Sequence, residues 1–97
     1  MSQTHSVQNK SALKPYKTAI SRYFRSALAL QGVTYLHLSE RLARRGIVLT
    51  PENLRNKVAR GLIPADLLIV MIEELNDREQ ALNAISRVAH SLLKDTE

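Results

Sequence analysis

The sequence predicts an all-α fold, a five-helix bundle with short connections. Three observations predict it. Apolar residues recur at three- and four-residue spacing through most of the chain, the period of one helix face. The three glycines and three prolines fall at the edges of these periodic stretches, where helices start and stop. No pair of alternating runs is joined by the Gly or Asn turn of a hairpin.

Residues 1–15 are polar and aperiodic. They read as a flexible basic N-terminal arm bearing Lys10 and Lys14, closed by Pro15. Residues 16–97 read as a single helical domain. Its first helix opens at Tyr16, with Ala19, Ile20, Tyr23, Phe24, Ala27 and Leu28 on one stripe, and Gly32 stops it. Thr34 caps a second helix through its hydroxyl; Leu38 and Leu42 face the core and Gly46 ends it. Ile47, Val48 and Leu49 form a buried turn, because a lone strand would have no partner. Thr50-Pro51-Glu52 then opens a third helix: Thr caps, Pro needs no N–H at the first position, and Glu meets the positive end of the dipole. That helix runs to Arg60 and is closed by Gly61. Pro64 starts a fourth helix whose residues 67–72 are apolar nearly all round, so it lies in the core or adds an interface. Asn76 and Glu79 read as a capping box for a fifth helix with the stripe Ala81, Leu82, Ile85, Val88, Ala89 and Leu92.

At 97 residues the chain is one domain with one modest core. The absence of Cys excludes disulfides, thiolate metal sites and Cys nucleophiles. The longest apolar run, Leu67 to Ile72, is far short of the roughly 18 residues of a membrane span. The polar N-terminus has no apolar signal-peptide stretch, and the expected location is cytoplasmic. The net charge of +5 conceals a strong division. Residues 1–60 hold eleven Lys and Arg against Glu40 and Glu52, a net +9; residues 61–97 hold three against seven acids, a net −4. A basic front half points to a polyanionic partner.

The third helix carries the functional signal. Only Leu54 and Val58 are clear core residues, and no acid occurs from Asn53 to Arg60. Charged side chains belong on any solvated helix face, but amides are mediocre helix formers and call for another reason to be there. Two short helices joined by a turn, the second narrow in its apolar stripe, describe a helix-turn-helix with helix 51–60 as the major-groove recognition helix. Asn pairs bidentately with adenine, and Arg or Lys with guanine. The base-contact candidates are therefore Asn53, Arg55, Asn56, Lys57 and Arg60. The phosphate-contact candidates are Lys17, Arg22, Thr34, Tyr35, His37, Arg41, Arg44 and Arg45, with Arg25 on the same flank.

The run GVTYLHLSERLARRGI, followed by NLRNKVARG and a Pro-started apolar helix, resembles the lambda-repressor-like helix-turn-helix class. The residues that match are the opening Gly32 and Thr34 and the closing Arg60 and Gly61. The chain is similar, more closely, to a family of small bacterial proteins of unknown function. They share a Gly-x-Thr-Tyr opening and Asn-Leu-Arg-Asn-Lys in the third helix, over roughly residues 16–76. The resemblance implies a DNA-binding fold and leaves mechanism open. One departure stands out: the connection from Arg44 to Thr50 is longer than the tight turn of repressor-type motifs.

Enzymatic function is not expected. His5, His37 and His90 are scattered, no His-x-x-x-His or Glu-x-x-His pair exists for a metal, and Glu73 and Glu74 sit on different helix azimuths. No cofactor, metal, small-molecule ligand or membrane is expected. The expected partner is double-stranded DNA, bound by a sequence-specific transcriptional regulator acting as a homodimer. Helices 64–93 would supply core and dimer contacts, with Met71, Leu75, Leu82, Ile85, Val88 and Leu92 as interface candidates. The alternatives are a protein-interaction module, antitoxin-like or adaptor-like, and a non-specific nucleic-acid binder.

Overall fold

A computed structural model describes residues 3–95; residues 1–2 and 96–97, the extreme ends of the expected arm and domain, lie outside them. The helices are α1 (Gln3–Gln31), α2 (Tyr35–Arg44), α3 (Pro51–Arg60), α4 (Ala65–Glu74) and α5 (Ala81–Asp95). No strand occurs among the described residues, and the fold is all-α.

The first helix corrects the expected boundary. It begins at Gln3 and passes through Pro15, so residues 3–15 are helical where a flexible arm was expected. Proline already holds a helical φ. What the helix loses there is the N–H bond to the Ser11 carbonyl, and the ring crowds that carbonyl, at about 3 kcal/mol. Residues 6–14 are all exposed, so backbone bonds and not packing extend the helix.

From Ala19 onward α1 is the central element. It packs along α5 and against α3, while α2 packs on α3 and α4. The core joins Ala19, Tyr23, Phe24, Ala27 and Leu28 of α1 to Leu38, Leu42, Leu54 and Val58, to Met71 and Leu75, and to Ala81, Ile85 and Ala89. Tyr23 and Phe24 meet edge-to-face at 5.0 Å between ring centres. Met71, Leu75 and Ile85 were expected at a dimer interface. They are buried inside the single chain instead, because they lie on the sides of α4 and α5 that face the core.

Helix ends follow local chemistry. Thr34 and Thr50 cap α2 and α3 as expected, accepting from the N–H groups of His37 and Asn53 at 3.1 Å each. The first four helices close with the same paired backbone bonds; at α3 these run from Gly61 N–H to Val58 O and from Leu62 N–H to Lys57 O, both 3.1 Å. The residue at each such turn has a left-handed φ, and at α4 it is Asn76, at φ 56°. Asn76 therefore closes α4 and does not open the fifth helix, which starts at Ala81. Asparagine is the non-glycine residue best suited to that conformation.

The end of α4 is a junction. Gln31 Nε2 donates to Leu75 O at 2.8 Å and Arg41 Nη1 to Glu74 O at 3.2 Å. Arg45 reaches Glu73 at 2.9 Å and Glu74 at 2.6 Å. The Tyr23 hydroxyl donates to Asp77 at 2.6 Å. These bonds tie α1 and α2 to the acidic part of the chain and fix α2, and through it α3, relative to the core. Between α2 and α3, Ser39 Oγ donates to Leu49 O at 2.5 Å, holding a link in which Ile47 and Leu49 are half-buried and Val48 points outward.

Candidate nucleic-acid interface

Helix α3 buries Leu54 and Val58 completely. Glu52, Asn53, Arg55, Asn56, Ala59 and Arg60 are exposed, and Lys57 is half-buried. At about 100° per residue, Asn56 lies opposite the midpoint of Leu54 and Val58. Asn53 and Arg60 flank it on one side, Glu52 and Ala59 on the other. Arg55 and Lys57 stand about 100° to either side of Asn56, at the edges of the face. The Arg55 guanidinium lies 5.3 Å from the Tyr35 ring centre, a cation–π contact that holds the side chain against the start of α2.

The C-terminal end of α3 is locked to α1. Gly61 has φ +63°, and a Cβ there would collide with the Lys17 carbonyl group, whose carbon would be 2.7 Å away. Ser21 is buried and its hydroxyl donates to Ala59 O at 3.4 Å. This close approach creates a groove of about 420 Å³ lined by Lys14, Lys17, Thr18, Ser21, Arg22, Arg25, Ala59 and Arg60. Five cations thus surround one groove that adjoins the outward face of α3. Ion pairs among the described residues are confined to Arg45, so no carboxylate described in the structure forms an ion pair with this cluster.

The remaining phosphate-contact candidates lie elsewhere. Tyr35 and Ser39 mark the side of α2 that meets α3 and the link. His37, Arg41 and Arg44 are on the opposite side, lining a second groove with Gln31, Gly32, Val33 and Glu40. Thr34 and His37 cap each other: the Thr34 hydroxyl accepts from the His37 N–H, and His37 Nδ1 accepts from the Thr34 N–H at 3.5 Å. The box leaves His37 Nε2 as its outward donor. Arg45 is engaged by Glu73 and Glu74, and these hydrogen bonds, Glu73 first, raise it further above its ordinary range. Its charge is therefore met within the chain. Sequence reasoning left Lys14 out of this cluster because Pro15 read as a helix stop. The signal was the recurrence of Lys10, Lys14, Lys17 and Arg25 at helical spacing across that proline.

Of the expected dimer contacts outside the core, Leu82 is 73% exposed, and Val88 and Leu92 are half-buried.

These features define a small all-α protein with a narrow, amide-rich helix set beside a groove lined by five cations. The chain belongs to the family described as a domain of unknown function (DUF6471), whose model matches residues 16–79. That span includes α2, α3, α4 and most of the groove, and the expected kinship with a family of unknown function is met. No curated protein and no solved structure matches the chain.

Proposed function

We propose that this protein is a sequence-specific DNA-binding transcriptional regulator. In this reading α2 and α3 form a lambda-repressor-like helix-turn-helix, α3 enters the major groove, and the protein acts as a homodimer. One observation carries the reading. Helix α3 gives only Leu54 and Val58 fully to the core, and its outward face centres on Asn56 with Asn53 and Arg60 beside it. Those side chains match the donor and acceptor pattern of adenine and guanine edges. The basic groove at the end of α3 suits the adjacent phosphates, which position the protein without specifying sequence. A dimer would place two copies of α3 in successive major grooves about 34 Å apart.

Selection from genomic fragments with the purified protein tests the reading. A short palindromic motif is expected. Failure to enrich any motif at moderate salt overturns it.

A further inference from the structure

The part of α1 that projects beyond the core is built for one kind of surface. Glu40 is the first acidic residue of the chain, so α1 has no negative side chain over its whole length. All its cations fall on one side. Taking Lys10 as reference at about 100° per residue, Lys14, Lys17, Arg22 and Arg25 lie within an arc of about 140°. The buried Ser21 sits inside that arc and bonds to Ala59 O, so the arc borders the end of α3. The first of these cations, Lys10, stands a full turn before Lys14, in the exposed extension that contributes nothing to the core. From Lys10 to Arg25 the rail is about 22 Å long at 1.5 Å per residue.

A helix extension with no packing role has to be explained by what it touches. An acid-free row of cations, continuous with Arg60 at the end of α3, complements a regular row of negative charge. One DNA strand presents a phosphate about every 3.4 Å of duplex axis. We propose that α1 is a phosphate rail: Lys10, Lys14, Lys17, Arg22 and Arg25 track the backbone of the same duplex that α3 reads, beginning at the phosphates nearest Arg60. The inference rests on the DNA-binding reading and deepens it, joining the cations of the groove to Lys10 as one continuous row along α1. It also gives the helical extension through Pro15 a function, since a helix holds Lys10 in register with Lys14 and Lys17.

Salt titration of binding tests this. The full chain and a variant carrying K10Q, K14Q, R22Q and R25Q are each titrated with a selected duplex, a scrambled duplex, single-stranded RNA and anionic vesicles. The four side chains are exposed, and circular dichroism with thermal melting verifies that the variant folds. A companion variant, K10R/K14R/R22K/R25K, keeps the charge and should bind as the parent does. For the glutamine variant the slope of log K against log salt should flatten by about 0.9 per lost contact, about 3 to 4 in total. Affinity at 0.1 M salt should fall by at least about tenfold. The ratio between selected and scrambled duplex should not change, because phosphates carry no sequence information. If the parent binds its motif and the glutamine variant keeps the same slope, the rail is overturned while the DNA reading stands. A changed selectivity ratio also overturns it, because the row would then be reading bases. A parent that selects no duplex, or prefers RNA or vesicles, overturns the DNA reading and the rail with it.

Discussion

Asn56 occupies the centre of the outward face of α3, where truncation removes an exposed amide and no core packing. Asn56→Ala should therefore abolish recognition of the selected motif and leave stability within about 0.5 kcal/mol, the usual range for exposed sites. Binding assays alongside denaturant melts check both parts; a large stability loss would show that this face is buried. Arg55→Ala should also lose recognition, but the guanidinium packs on Tyr35, so its loss should loosen the start of α2 slightly as well. Tyr23 works in the opposite manner, inside the structure. Burial, and then the hydrogen bond to Asp77, raise its phenol well above the ordinary tyrosine value. The fold thus favours the neutral form. Its contribution is complete below the ordinary value of about pH 10 and is lost as pH rises toward the higher folded value. Tyr23→Phe should cost about 1 kcal/mol at neutral pH. In urea melts the parent should lose stability above pH 10 more steeply than Tyr23→Phe; equal slopes would remove this account.

At the scale of elements, the fold depends on how α3 is set against α1. Gly61 has to accept a left-handed φ and a contact with the Lys17 backbone together. Gly61→Ala should destabilise by about 2 to 4 kcal/mol, combining the left-handed penalty with a clash that no rotamer change relieves. A thermal melt indistinguishable from the parent would mean that α3 lies farther from α1. Much of this level was legible in the sequence. Thr34, Thr50 and Pro51 announced the starts of α2 and α3, and Gly32, Gly46 and Gly61 the ends of α1, α2 and α3, because caps and left-handed turns are chemistry of single residues. Two boundaries were not legible. Pro15 reads as a stop, yet a proline tolerated inside α1 removes one backbone bond without ending the helix. Asn76 suits a cap at either end of a helix, and only the backbone bonds from Asn76 to Glu73 and Asp77 to Ile72 show which end it serves. The groove beside α3 was hidden for a related reason: its lining comes from residues 14–25 and 59–60, which only the docking of α1 on α3 brings together.

At the scale of the molecule, charge is segregated along the chain, +9 over residues 1–60 against −4 over residues 61–97. The basic half of the sequence forms the groove and α3, while Glu73 and Glu74 near the end of α4 neutralise Arg45. That division would keep the acidic side away from a polyanion and leave the α4 and α5 side for another copy of the chain. With Met71, Leu75 and Ile85 committed to the core, the proposed homodimer contact contracts to Leu82 and the half-buried Val88 and Leu92 on α5. Leu82 is the decisive residue, because at 73% exposed it is the large apolar side chain of α5 that the single chain leaves in water. Leu82→Glu places a charge within that contact, at a side chain that takes no part in the core. Its expected result is a monomer by sedimentation equilibrium at concentrations where the parent is dimeric, with unchanged helicity. The same substitution should weaken binding to a palindromic duplex far more than to a single half-site, because only the dimer couples two copies of α3 across about 34 Å. A parent that sediments as a monomer at every concentration, or a Leu82→Glu variant that remains a dimer, would remove α5 as the interface. The assignment of α3 to DNA would survive either outcome, since it rests on a different face of the molecule.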